Sequence, residues 1–307
     1  YCKSMGKVVI VCKDRPGFVV NRFFVPWLNE ACILLEQGIG TAAQIDAVSR
    51  KSFGIGMGPF ALMNLTGPPI ALHSTDYLAD QLETPRYRGS DNLRKLVEEG
   101  GIWSIDGPEE CDEETTKIIS ERLLGQVFLV SSQIVEEGVC SIEDVDRGAK
   151  VGLRWARGPF ELMNRVGVKA SFEMAKEYLA LCQDEQGESN WKIPQFFTDQ
   201  ASNDSQWDFS YVDTSIQDGI ATITINRPEA MNALNETVIE QLGHAITAVN
   251  SNDDVHTLVL DGAGKAFVAG ADVKFFVDKI RSDSIDDIVE FTSNGHKVLN
   301  SIENSPK

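Results

Sequence analysis

With 307 residues, the chain is long enough for two or three domains. A formal net charge of −18 argues against nucleic-acid or anionic-membrane partners, which need clustered Lys and Arg. A hydrophobic share of 42% with 24% charged residues leaves an ordinary globular composition.

Six cysteines without a CxxC and four histidines offer no metal set. Their scatter points to a reducing, cytoplasmic compartment. The longest apolar runs fall short of the ~20 residues that span a bilayer, so no membrane insertion is expected. The chain opens without Met on YCKSMGK and stops on SIENSPK after a helical pattern. Both ends read as cuts through a longer molecule.

In chain order, the β-branched run Val8–Cys12 predicts a short strand, punctuated by Pro16 and Gly17. Phe18 to Gln37 predicts a helix closed by Gly38. Asn21 and Arg22 sit at the mouth of this otherwise apolar helix. Thr41 and Gln44 form a capping box for the next helix, and Gly58-Pro59-Phe60 opens a third.

Sliding the sequence by 100 residues exposes a repeat. Glu36, Gly38, Asp46, Gly58, Pro59, Phe60, Leu62, Met63, Asn64 and Gly67 recur at 136, 138, 146, 158, 159, 160, 162, 163, 164 and 167 without a gap. Chance would give roughly two such matches in this window. An all-helical unit is duplicated. Arg22 is kept as Arg122, but Asn21 becomes Glu121. The asparagine is therefore not needed to build the unit, whereas the arginine reads as a structural ion-pair or carbonyl partner.

Residues 183–205 read as a polar linker that docks through Trp191 and Phe196. Beyond it the pattern changes. Ile220–Ile225 alternates as a strand, a helix follows through Val249, HTLVLDGA reads as a buried strand, and AFVAGADVKFF leads from a loop into a helix.

Asp14, Gly17, Phe18, Val19, Asn21, Arg22, Pro26, Trp27 and Leu28, with MGPFALMNLTG downstream, resemble the C-terminal-domain signature of the 3-hydroxyacyl-CoA dehydrogenases. ITINRPEAMNAL and LVLDGAGKAFVAGADVKFF resemble the start of the enoyl-CoA hydratase, or crotonase, fold. The fold class this implies is two all-α domains like the 6-phosphogluconate dehydrogenase C-terminal domain, followed by a partial α/β crotonase domain.

The divisions expected are residues 1–12 as the last strand of a dinucleotide-binding domain otherwise missing, 13–105 and 106–182 as the two helical copies, 183–205 as linker, and 206–307 as crotonase. By resemblance, Asn21 holds the substrate oxygen and Ala271 donates one oxyanion-hole N–H, within a substrate loop of Ala269, Gly270, Ala271, Asp272, Val273 and Lys274. An amide has both a donor and an acceptor for the first task. Small residues at a helix N-terminus suit the second.

No G-x-G-x-x-G follows a strand, so NAD is assigned to the missing domain. The second oxyanion donor and two catalytic Glu are expected after Lys307. The resemblance implies a bifunctional enzyme that hydrates enoyl-CoA and oxidises 3-hydroxyacyl-CoA, of which this piece alone is inactive. It also implies acyl-CoA ligands, a pseudo-dimer of the two helical copies, and homo-oligomers through the crotonase domain. Two other readings fit the helical repeats: a non-catalytic assembly scaffold, and another dehydrogenase with a 6-phosphogluconate-type helical domain. The crotonase-like segment argues against the second.

Overall fold

The computed structural model describes residues 5–182 and 191–307. They fall into two compact units, Ile10–Trp207 and a second built from Asp208–Lys307 with the N-terminal residues through Val9.

The first unit is helical and shows the duplication directly. Helices α1 (Val20–Glu36), α2 (Ala42–Phe53), α3 (Pro59–Thr66), α4 (Pro68–Gln81) and α5 (Asp91–Glu98) form the first copy. Helices α6 (Glu113–Glu136), α7 (Ile142–Arg147), α8 (Pro159–Val166), α9 (Val168–Leu181) and α10 (Gln195–Asn203) form the second, with a π turn at Gly148–Gly152. The bounds of α3 and α4 recur in α8 and α9 with an offset of 100.

The shared residues explain themselves at the α2–α3 junction. Asp46 is buried, and its two carboxylate oxygens accept from the N–H groups of Phe60 (2.8 Å) and Ala61 (2.9 Å). Asp146 does the same for Phe160 and Glu161 at 2.8 and 2.9 Å. A side chain thus satisfies two of the orphan donors at each helix start. It lies so close to the chain that a Cβ on Gly58 or Gly158 would come within 2.4 or 2.2 Å of the Asp Cγ. Gly at these positions is a steric consequence of that cap, and Pro at the first helical position has no N–H left to satisfy.

The copies pack on each other through α1 and α6. Arg22 is buried and pairs with Glu137 of the second copy at 2.6 Å. Reciprocally, Arg122 donates to Gln37 Oε1 of the first copy at 2.6 Å. Gln126 Nε2 donates to Phe23 O across the same contact, and Trp155 lies edge-on to Trp27 with ring centroids 5.8 Å apart. A buried apolar α1 is what a duplicated unit with one exposed greasy helix requires. Helix α6 is long and apolar enough to cross a bilayer, contrary to the reading of short apolar runs. Two-thirds of that stretch (67%) is buried here, against α1, α2 and α9. Polar residues such as Gln126, Ser131 and Ser132 interrupt the apolar letters, which hid its length in the sequence.

Three other expectations need correction. Val8–Cys12 forms no strand: no described strand pairs with it, and an extended segment without a ladder has nothing to hold it. The linker also contains helix α10, packed on α9; its residues 183–190 lie outside the described residues. Trp191 does dock, with its ring 4.9 Å from that of Tyr87, and Phe196 sits 5.4 Å from Trp207.

The second unit has a three-stranded sheet in the order β1 (Val212–Gln217), β2 (Ile220–Ile225), β3 (Thr257–Gly262). The first pair is antiparallel and joined by Asp218-Gly219, both with positive φ. The second pair is parallel and crosses over through α11 (Glu236–Asn250). Helices α12 (Val273–Arg281) and α13 (Ile285–Glu303) follow. Ala221, Ile223 and Ile225 pack against Val238, Leu242 and Ile246 of α11 to form the core. Strand β3 is not the buried strand its apolar run suggested. It alternates between exposed and half-buried, with Val259 41% exposed, and stands at one edge of the sheet.

Candidate functional site

Two stretches singled out by sequence occupy separate units. In the helical unit, the turn before α1 is conformationally unusual. Gly17 and Phe18 have φ of 77° and 48°. Gly17 adopts this freely, whereas Phe18 is held there against its preference while 58% exposed. The turn brings α1 in beneath α4 and opens a cavity of about 560 Å³. It is lined by Asp14, Arg15 and Phe18 of the turn, Asn21 of α1, and His73 and Tyr77 of α4, among others.

Asn21 is exposed to this cavity, and its side chain has no hydrogen-bond partner among the described residues. It does not cap α1: the capping position is Val19, with no side-chain cap bond. Arg22, one residue on, turns the opposite way into the Glu137 pair and takes no part in the cavity. The helix mouth thus carries one structural polar residue and one left free.

In the second unit, Ala269, Gly270, Ala271 and Asp272 form a loop that runs into α12 beside the residues before α11. Leu234 N–H donates to Gly270 O (2.9 Å) and Asp272 N–H to Leu234 O (2.8 Å), a single parallel bridge that straddles Ala271. The Ala271 N–H faces away from that bridge and has no acceptor among the described residues. Ala269 N–H donates to Met231 O at 3.1 Å. Gly270 has a φ of 125°, a value open to glycine alone. Asp272 receives the Lys274 N–H on Oδ1 (3.0 Å) and pairs with Arg227 through Oδ2 (2.7 Å). It is a helix-start cap and loop anchor. Val273 opens α12 and is 73% exposed; Lys274 contributes its backbone N–H to the cap.

Sequence reasoning singled out neither Arg227 nor Asn232. Asn232 is fully buried with a φ of 55°. Its Oδ1 accepts from Arg227 N, and its Nδ2 donates to Ala263 O and Ala266 O, each at 2.8 Å. Arg227 in turn reaches Ala233 O and Asp272. These two side chains hold the loop that presents Ala271. The signal was an Asn three residues ahead of the Asn235 helix cap, inside a turn that an apolar-pattern reading passes over.

The described residues do not fit a dinucleotide cofactor. Strand β2 runs into Asn226-Arg227-Pro228 and a 3-10 turn, and β3 runs into a loop that reaches α12 only at Val273. Neither is a glycine-rich strand-to-helix turn that could seat a pyrophosphate. No group of three or more potential metal-ligating side chains occurs among the described residues.

Comparison with known proteins agrees with this division. Residues 17–104 and 118–203 each match the family described as "3-hydroxyacyl-CoA dehydrogenase, C-terminal domain", and residues 220–307 match "Enoyl-CoA hydratase/isomerase". The human protein named "Hydroxyacyl-coenzyme A dehydrogenase, mitochondrial" is 38% identical over 112 residues, covering 35% of this chain and 34% of the relative. A "Probable 3-hydroxybutyryl-CoA dehydrogenase" of Deinococcus radiodurans is 35% identical over 105 residues, covering 34% of this chain and 38% of the relative. The chain thus spans about a third of the length of the curated relatives it matches. The crystal structure of 3-hydroxybutyryl-CoA dehydrogenase from Escherichia coli shares the fold, with a TM-score of 0.56 over 66% of this chain and 63% of that one at 16% identity. The paired helical repeats, matched over more than half of the chain's length, make it a member of the 3-hydroxyacyl-CoA dehydrogenase C-terminal-domain family, with an enoyl-CoA hydratase/isomerase segment following.

Proposed function

We propose that this chain is part of a bifunctional enzyme that adds water to an enoyl-CoA and oxidises the resulting 3-hydroxyacyl-CoA to the 3-oxoacyl-CoA. The observation that carries the proposal is Asn21: an amide with no protein partner, facing an open cavity, in the copy that resembles the family signature and absent from the other. In this reading Asn21 binds the substrate's reacting oxygen and orients the carbon that bears it. NAD is implied by the family. It would accept the hydride, held by residues other than the described ones.

In the hydratase half, the Ala271 N–H polarises the thioester carbonyl and stabilises the enolate that forms as water adds. Arg227, Asn232 and Asp272 hold that N–H in place. The reciprocal Arg22–Glu137 and Arg122–Gln37 contacts support a pseudo-dimer, in which the second copy stands where a partner subunit would. The proposed compartment is the cytoplasm, on the cysteine spacing. Homo-oligomers through the crotonase segment belong to the same proposal.

The test is a crossed pair of variants in an active polypeptide that contains this chain. Asn21→Ala should lower dehydrogenase turnover by on the order of 10²-fold and leave hydration unchanged. Ala271→Pro removes one N–H donor and should lower hydration by roughly 10²–10³-fold with dehydrogenation intact. Full dehydrogenase activity in the first variant, or full hydratase activity in the second, would remove that residue from the site.

A further inference from the structure

The duplication allows the Asn21 cavity to be compared with its own counterpart. Helices α4 and α9 have the same length and place in the repeat, so each α4 position has an α9 equivalent 100 residues on. Three residues that line the cavity differ in one direction. Asn21, His73 and Tyr77 of the first copy stand where the second has Glu121, Glu173 and Glu177. In a chain with 46 acidic and 28 basic residues, the first copy has a carboxylate at none of the three. The other charged groups that line the cavity are Asp14 and Arg15, one of each sign.

The wall is also unused by the protein. The side chains of Arg15, Asn21, His73 and Tyr77 have no hydrogen-bond partner among the described residues, and Tyr77 is 49% exposed. Free donors on a cavity of this size suit a ligand that carries negative charge; the acidic residues of α4, Asp76 and Asp80, do not line it and are ion-paired with Arg94 and Arg88.

We propose that His73 and Tyr77 form a binding surface for the phosphate-bearing arm of an acyl-CoA ester, with Arg15 beside them, while Asn21 takes the acyl end. This rests on the reading of Asn21 given above and extends it to the rest of the cavity. The residues bind and align the ligand; they move no proton. The second copy, with carboxylates at the equivalent positions, would repel the same arm.

The probes are acetoacetyl-CoA and acetoacetyl-N-acetylcysteamine, which carries the same acyl thioester without phosphates. Binding of each to the 307-residue chain is measured by ligand-observed NMR and calorimetry. The double variant H73E/Y77E installs the second copy's residues. It should weaken acetoacetyl-CoA by roughly tenfold or more, as two carboxylates near an anion imply, and leave the short thioester unchanged. Asn21→Ala should weaken both probes.

Far-UV circular dichroism verifies folding, and the uncharged variant H73Q/Y77F, which keeps the shape, should fall between wild type and H73E/Y77E. Equal affinity of H73E/Y77E and wild type for acetoacetyl-CoA overturns the proposal. So does an equal loss for both probes, which would mean that the wall does not sense the charged arm. If Asn21→Ala affects neither probe while H73E/Y77E weakens the CoA ester, the role of Asn21 fails and the α4 surface stands. Binding of neither probe by the wild-type chain overturns both.

Discussion

At the residue scale, Asp46 and Asp146 show how one side chain dictates its neighbours. Each carboxylate takes two backbone N–H donors at a helix start, so an amide cannot replace it: one of its two polar atoms would meet a donor with a donor. Asp46→Asn and Asp146→Asn should each destabilise by about 1–3 kcal/mol in urea melts. The two sites differ in pH dependence. Burial pushes both carboxyls above their ordinary value, and Asp146 well above it, with the Glu161 carboxylate adding to the effect where the first copy has Ala61. A carboxyl that holds its proton more tightly folded than unfolded contributes stability fully below its unfolded pKa and loses it as pH rises through the folded value. The advantage of wild type over Asp146→Asn should therefore narrow as pH rises from near 3.8, and narrow less for Asp46→Asn. A constant gap between wild type and Asp146→Asn across that range would mean that the carboxyl titrates alike in both states.

At the element scale, the contact of α1 with α6 is reciprocal in outline and asymmetric in charge. Position 30 is Glu and position 130 is Val. Glu30 is buried and receives Arg86 at 2.7 and 2.9 Å, Arg122, and the Tyr178 hydroxyl at 3.2 Å. It joins α1, the turn after α4, α6 and α9 in one network. Glu30→Gln would leave two guanidinium groups in a buried site without their counter-charge. It should destabilise the helical unit by about 3–5 kcal/mol, measured by chemical denaturation. Glu137→Gln should cost less, because Glu137 is 36% exposed and water can take its place beside Arg22. Equal losses would show that exposure does not set the difference.

Much of this layer was legible beforehand. The repeat, the Thr41 and Ser141 caps and the Pro59 helix start follow from local spacing, and the structure has each of them. Two elements were not legible. Helix α10 was hidden because the repeat loses register: Asn64 meets Trp103 after 39 residues, whereas Asn164 meets Trp207 after 43. Strand β1 was missed because it is mostly polar and exposed on both faces, so alternation has no apolar side to reveal. The free Asn21 amide could be singled out by comparing the copies. The Arg227–Asn232 clamp depends on contacts up to 45 residues apart, which no local pattern records.

At the scale of the whole molecule, each helical copy is closed by a tryptophan far from its helix. Trp103 stacks edge-on to Phe60 at 5.0 Å, and its backbone exchanges two hydrogen bonds with the Asn64 amide, at 2.9 and 2.8 Å. Trp207 repeats this with Phe160 at 5.2 Å and Asn164 at 2.9 and 2.7 Å, and adds Phe196 and Phe197 of α10. The helical unit therefore extends to Trp207, two residues past the linker boundary that composition suggested, and Asp208 begins the other unit. The consequence is a sharp dependence on one residue. A chain of residues 10–207 keeps the latch, and one of residues 10–206 lacks it. Truncating a buried Trp costs about 3–5 kcal/mol, because its contacts vanish and Phe160, Phe196 and Phe197 close only partly over the gap. For a unit of this length that shifts the melting temperature by on the order of ten degrees. Calorimetry of the two fragments should show that difference, and Trp207→Ala in the 307-residue chain should reproduce it in the helical transition. Identical melting of 10–206 and 10–207 would mean that the second copy is closed by α10 alone, with Trp207 only resting on its surface.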